Sequence, residues 1–252
     1  MVKRTHLGNV VAASGDQTLQ GMRGLLDQAS KSIVADRQIL ARIVKNCVPE
    51  AKRFSIEELE QLIPANLTIG KVPVERDPAA ADPGVVRQEN TEDGTIREGT
   101  VHFDILFTLE LPGSKSPILL IINVEVQNRR DLPYPLERRA EIYAARLVSR
   151  QGTDYANCSK VYSIWLVSGP QKKTEENTIK RYVTAEKLPD GTYADAPEGA
   201  QISEVMFLNL GDPGDEKLKS EFLRMLDIVF SGNSPEHHAR PRVEEKLFAA
   251  TD

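Results

Sequence analysis

Ile118-Leu-Leu-Ile-Ile-Asn-Val-Glu-Val-Gln127 is an apolar run that turns polar at alternate positions as it ends, which predicts a strand leaving a hydrophobic core. In an extended chain Glu125 and Gln127 project from one face and Val126 from the other. Upstream lies a second strand pattern, Val101-His-Phe-Asp-Ile-Leu-Phe-Thr-Leu-Glu-Leu111, interrupted by Asp104. Between the two, Pro112-Gly-Ser-Lys-Ser-Pro117 carries the turn residues of a hairpin. If the hairpin closes symmetrically, Leu111 pairs with Ile118 and paired residue numbers sum to 229. Asp104 then faces Glu125, with Cβ atoms about 5 Å apart. The same register sets His102 across from Gln127 and Leu106 across from Asn123, so Asp104, Asn123, Glu125 and Gln127 collect at one end of the sheet. Val101, Phe103, Ile105, Phe107 and Leu109 form the opposite, apolar face, which must meet the core.

Two carboxylates facing each other repel, and a bound divalent cation reverses the sign of that interaction. Magnesium prefers hard oxygen ligands and keeps several waters when one or two carboxylates hold it. Such a site suits attack of water on a phosphodiester. The competing reading is a solvated even-numbered face on which Asp104 and Glu125 are ordinary surface carboxylates. A two-residue slip of register would keep the faces and separate the pair.

A second pattern follows on a helix expected from about Leu136 to Gln151, where Leu136, Ala140, Ala144, Leu147 and Val148 recur at helical spacing. Arg139, Tyr143, Arg146 and Arg150 fall at i, i+4, i+7 and i+11 and form one stripe. From Arg129 to Arg150 there are six arginines against Asp131, Glu137 and Glu141, a net +3. The planar guanidinium fork suits phosphate oxygens, and tyrosine can stack or hydrogen-bond. The alternative is an exposed helix face whose arginines pair with nearby carboxylates.

Elsewhere the 252 residues set bounds rather than a function. The length supports one sizeable core, and 40% hydrophobic with 27% charged residues is ordinary for a globular chain. A net charge of −5 argues against indiscriminate binding to polyanions, although a local basic surface suffices for a nucleic-acid enzyme. Cys47 and Cys158 are too few for a disulfide framework and wrongly spaced for a zinc pair. The longest apolar stretch, Ile118–Ile122, is far short of the ~20 residues of a membrane span. Gly8, Asn9 and Ser14 break up any apolar core of a signal peptide, so a cytoplasmic protein without membrane contact is expected. Ser149 and Cys158 lack a convincing base, and no glycine-rich phosphate cradle is present.

Residues 1–30 read as a loosely ordered lead-in, 31–230 as the main domain, and 231–252 as a mobile tail. Asp36 is placed to cap a helix carrying Ile39, Leu40, Ile43, Val44 and Cys47 that stops at Pro49. Ser55 and Glu58 have capping-box spacing ahead of Leu59, Leu62 and Ile63. Pro64, Pro73, Pro78 and Pro83 mark a loop or insertion at about 64–84. Val85–Gln88 is a candidate strand before an Asp93-Gly94 turn. Lys160–Val167 is a strong strand candidate, Ile179–Val183 and Glu204–Leu210 weaker ones, and Leu218, Phe222, Leu226 and Val229 outline a last helix. Strand, helix and strand from 118 to 167 predict a right-handed crossover with parallel strands, hence an α/β fold with a mixed central sheet flanked by helices.

Taken in order, Val-His-Phe-Asp104-Ile-Leu-Phe, Glu125-Val-Gln127 after an Ile-rich strand, and Arg139-Ala-Glu-Ile-Tyr143 in the next helix resemble the PD-(D/E)XK nuclease family transposases, relatives of the recombination-promoting nucleases. The resemblance runs from about Ile39 to Val167 and takes in Val48-Pro-Glu50 and Val161-Tyr-Ser-Ile-Trp165. It implies a restriction-endonuclease-like core with extra C-terminal strands and helix. It also implies Asp104 and Glu125 as ligands of Mg²⁺, with Mn²⁺ as a substitute. Glu50 aligns with an acidic residue of the first helix that often completes such sites. Gln127 stands where the wider superfamily usually carries lysine; glutamine supplies no positive charge but can orient a water or a phosphate oxygen. The expectation is a metal-dependent DNA endonuclease of a mobile element or recombination system, with Asp104, Glu125, Gln127 and Glu50 catalytic. A homodimer would suit double-strand cleavage. The alternative is a nucleic-acid-binding or assembly protein that keeps the fold without efficient cleavage.

Overall fold

In the computed structural model the described residues are 29–65, 67, 92–95, 99–128, 132–168, 170, 172–197, 199–212, 214–215, 218 and 220–231. A helical stretch at 29–34 leads into α1 (Arg37–Cys47) and α2 (Ile56–Leu62). Then come β1 (Glu92–Thr95), β2 (Gly99–His102), β3 (Ile105–Leu111), β4 (Ile118–Gln127), α3 (Leu136–Ser149) and β5 (Lys160–Ser168). The chain continues through β6 (Thr178–Tyr182), β7 (Ala185–Lys187), β8 (Tyr193–Asp195), β9 (Ser203–Leu210) and α4 (Glu221–Ser231).

Local chemistry sets the helix ends. Asp36 accepts hydrogen bonds from the Gln38 and Ile39 N–H groups at 2.9 and 3.2 Å, closing the first turn of α1. Ser55 and Glu58 form the reciprocal capping box of α2. Pro135 immediately precedes α3, where its missing N–H costs nothing. A Cβ on Gly113 would collide with the Ser116 carbonyl oxygen, so the turn between β3 and β4 closes around a residue without a side chain.

The central sheet has five strands in the order β3-β4-β5-β9-β6. β4, β5 and β9 run parallel, whereas β3 and β6 are antiparallel to their neighbours, giving the mixed α/β sheet that the strand-helix-strand pattern predicts. The expected hairpin register holds from Leu111↔Ile118 to Ile105↔Val124. It stops there. Asp104 sits in a bend outside the ladder, and His102 pairs with Glu92 in the separate β1–β2 ribbon rather than with Gln127. Asp93 and Gly94, expected to turn, lie inside β1. The candidate strand at 85–88, most of the 64–84 loop, residues 1–28 of the lead-in and the tail from 232 fall outside the described residues.

Both faces of the sheet are covered. Ile105, Phe107, Leu109, Leu120, Ile122, Val124, Ile164 and Leu208 pack with Leu40, Ile43, Val44 and Cys47 of α1, with Leu59 of α2 and with Leu226 of α4. On the other face Leu106, Val161, Trp165, Val205 and Phe207 meet Ala140, Tyr143, Ala144 and Leu147 of α3. The solvated even-numbered face is thus corrected: Leu106 is buried, and within β3 only Thr108 and Glu110 at the outer part escape full burial. Phe103 is corrected too. It belongs with the α3 cluster, not with Ile105, because the bend at Asp104 breaks the alternation. Cys47 lies deep in the first cluster, and burial pushes its thiol up to about 12. Among the described residues, no helix is long and apolar enough to cross a membrane.

One carboxylate is buried away from any expected site. Asp227 of α4 is 1% exposed; its Oδ1 accepts the Gly211 N–H at 2.9 Å and its Oδ2 has no hydrogen-bond partner. Burial raises its pKa to about 6, helped by Asp212 and Glu176 and opposed by the Gly211 N–H and Arg224. An unfolded chain ionises this group near ~3.9. Between those values the folded chain holds the proton more tightly, so this contribution to stability falls as pH rises from about 4 to about 6 and stays lost above. Asp227→Asn should therefore stabilise the chain at pH 7 by about 1 kcal/mol, screening by water around exposed Asp212 keeping the gain below the full shift, and should give little at pH 4. Urea unfolding at the two pH values measures this, and an equal gain at both would remove the titration from the account.

Candidate metal and phosphate site

Where β3 stops pairing with β4, two backbone N–H groups need new acceptors. The Asp104 N–H donates to Glu125 Oε1 at 3.0 Å, and the Val126 N–H donates to Asp104 Oδ2 at 2.9 Å. The two carboxylates are therefore neighbours, as the hairpin register predicts, but through crossed side-chain-to-backbone bonds rather than by facing each other across a ladder rung. Glu125 is 1% exposed. Asp104 stays partly open and is met by a cation from far upstream: Lys31 Nζ lies 2.8 Å from Asp104 Oδ1.

The electrostatics follow from burial. Desolvation raises the Glu125 pKa well above the usual carboxylate range, and the Asp104 charge adds to the shift. The Asp104 N–H, Arg139 and Lys31 act in the opposite direction. Burial and Asp104 thus both disfavour the ionised form of Glu125, and nearby positive charge favours it.

Gln127, 5% exposed, and Arg139 adjoin this pair. Arg139 Nη1 reaches Gln127 Oε1 at 3.5 Å, the outer limit of a hydrogen bond, while Nη2 donates to Tyr143 Oη at 2.8 Å. The guanidinium also lies 5.0 Å from the Tyr143 ring centroid and 5.3 Å from that of Trp165. Phe103, Tyr143 and Trp165 stack edge to face beneath it, with centroids 5.2 and 5.3 Å apart. Burial and then the Glu125 charge raise the Tyr143 pKa, which keeps the phenol neutral and able to hold Arg139. Tyr143, expected to offer itself to nucleic acid, is packed inside instead. The stripe consequently divides: Arg139 turns into the site, while Arg146 and Arg150 lie half-buried further along α3.

Glu50 is not brought to this place. It sits in the short turn Pro49–Ala51, where its Oε2 accepts the Tyr162 hydroxyl at 2.6 Å and Lys160 Nζ stands 3.9 Å from its Oε1. Tyr162 points to the α1 face, opposite to Glu125. It also pairs with Ile122, three rungs before the Glu125↔Trp165 rung and so about 10 Å back along the strand. Pro49 ends α1 and carries Glu50 toward the start of β5. Lys31 lies outside the reach of sequence spacing: no periodicity links it to Asp104, 73 residues away.

Among the described residues, no group of three or more His, Cys, Asp or Glu is arranged to hold a metal ion. The donors that do converge are the Asp104 and Glu125 oxygens. Asn123, wholly buried two residues before Glu125 on the same strand face, has an Oδ1 without a hydrogen-bond partner, while its Nδ2 donates to Ser163 Oγ at 3.4 Å. Two carboxylates and no thiolate or imidazole form a hard-oxygen set, which fits Mg²⁺ with most of its shell left to water. The chain matches no known family model, no curated protein and no solved structure.

Glu125→Gln keeps an acceptor for the Asp104 N–H and removes a charge that burial and Asp104 both oppose. Without metal this variant should unfold at a higher temperature than the wild type, by a margin that widens as pH rises. A lower midpoint, read by circular dichroism, would mean that the ionised carboxylate itself holds the site together.

Proposed function

We propose that the chain is a metal-dependent DNA endonuclease with a restriction-endonuclease-like core of the PD-(D/E)XK kind, serving transposition or recombination of a mobile element. The observation that carries the proposal is the adjoining pair of Asp104 and Glu125, one carboxyl almost wholly buried beside another, at the end of a central parallel strand. Burial of that kind disfavours ionisation, and a hard cation is the partner that offsets it. The order of Asp104, Glu125-Val-Gln127 and Arg139 along the chain supports the same reading.

Asp104 and Glu125 would hold Mg²⁺, or Mn²⁺ in its place. When bound, the ion supplies Lewis-acid stabilisation of charge developing on the phosphate. Gln127 orients a water or a phosphate oxygen through its amide. Arg139, fixed by Tyr143 and Gln127, brings a permanent positive charge next to the position where lysine is usual. DNA approaches along α3, and cutting both strands calls for two copies of the chain.

A second reading, a DNA-binding or assembly protein without cleavage, draws on the Lys31–Asp104 ion pair, which already compensates one carboxylate. A plasmid-nicking assay separates the two. Wild-type chain should nick supercoiled DNA with Mg²⁺ or Mn²⁺ and not with EDTA, and Asp104→Ala should lose activity by on the order of a hundredfold or more. Binding without metal-dependent nicking selects the second reading.

The arginines give an independent measurement. Replacing Arg146 or Arg150 by alanine should make the log–log salt dependence of duplex binding shallower by about 0.9 for each lost phosphate contact. Arg139→Ala should lower cleavage at saturating DNA as well. Slopes identical to wild type in all three variants would take α3 out of the DNA interface.

A further inference from the structure

We propose that Lys31 is the site's built-in counter-ion: its ammonium stands beside Asp104 where a divalent cation must bind, and it thereby sets the affinity for that cation. The inference rests on the metal reading of the Asp104–Glu125 pair. Of the two Asp104 oxygens, Oδ2 is committed to the Val126 N–H at 2.9 Å, and Oδ1 is met by Lys31 Nζ at 2.8 Å. Glu125 Oε1 is committed to the Asp104 N–H at 3.0 Å. A cation binding Asp104 at Oδ1 either displaces the ammonium or shares the oxygen with it, and two positive charges that close repel strongly in a partly buried setting.

The anchoring of Lys31 makes displacement feasible without loss of the segment. Its neighbours on the helical stretch at 29–34, Ser30 and Val34, are 6% and 0% exposed, so the backbone is held in the fold. The Lys31 side chain is itself 24% exposed, so water is at hand to rehydrate a released ammonium, and its long flexible stem lets the charge swing aside. The other cation near the pair, Arg139, is pinned by Tyr143 and cannot yield in the same way. Of the two cations, Lys31 is the one on the more flexible stem.

Mn²⁺ titration of the EDTA-treated full chain, read by the electron paramagnetic resonance of free Mn²⁺, tests this without any activity measurement. Lys31→Met should tighten Mn²⁺ binding by about tenfold, and Lys31→Arg, which keeps the charge, should stay near wild type. Lys31→Gln repeats the neutral arm should the methionine variant fail to fold. Binding that is lost in Asp104→Ala yet equal or weaker in the neutral Lys31 variants overturns the counter-ion role and leaves the metal site standing. Mn²⁺ binding that is the same in wild type and Asp104→Ala, or absent from wild type and the neutral variants alike, overturns the metal reading itself and the counter-ion role with it.

Discussion

A sheet that loses a strand partner leaves N–H groups without acceptors, and the way this chain fills that gap governs its most reactive-looking corner. At the point where β3 begins, Asp104 and Glu125 each accept a backbone N–H that the ladder no longer serves. The exchange fixes both side chains to the main chain of the opposite segment, which gives them little freedom to relax apart. It also forces two carboxyl groups together in a place sheltered from water, where the charge on one opposes ionisation of the other. The protein tolerates this by surrounding the pair with Lys31 and Arg139, cations delivered from the helical stretch before α1 and from α3. Without the bend at Asp104 the crossed bonds would be lost and Phe103 would turn to the other face, away from Tyr143.

The second constraint is two-sided burial. β4 is buried on both faces from Leu120 onward apart from Ile121, so its polar residues can find partners only inside the protein, and the Asn123 Oδ1 finds none. Glu125, Gln127 and Asn123 all lie on the α3 side, which makes α3 the wall of the polar pocket and explains why its most consequential arginine points inward. The opposite side holds only apolar contacts along the strand. Its charged residues, Glu50, Lys160, Arg181 and Glu204, gather near the beginnings of β5 and β9 in an ion-paired group of their own.

The hairpin register and the capped helices were legible because each depends on neighbours close in sequence, and the parallel β4–β5 pair because a strand-helix-strand crossover has one preferred hand. Asp36, Ser55 and Glu58 act within one helical turn, and Leu111↔Ile118 is set by a short turn. Adjacency of Asp104 and Glu125 followed from that register, although the crossed bonds that achieve it did not, since alternation cannot foresee where a strand bends. Glu50 was misplaced because motif order says nothing about which sheet face a short turn reaches. The inward fold of Tyr143 and the arrival of Lys31 are contacts across long stretches of chain, and no local pattern encodes them.

β6 precedes β9 in the chain yet, among the described residues, pairs only with it, while β9 enters between β6 and β5. This order of strands has a consequence for assembly. A growing chain that has completed Lys160–Ser168 holds a strand buried along most of its length in the finished fold, with one hydrogen-bonding edge still open. The antiparallel strand already synthesised cannot close that edge in its native place, because that place adjoins residues not yet made. Such non-local pairing slows folding and leaves an apolar edge available to other chains. Truncation between Ser168 and Ser203 would make that transient condition permanent, and the shortened chain would then join its own copies edge to edge rather than stay apart.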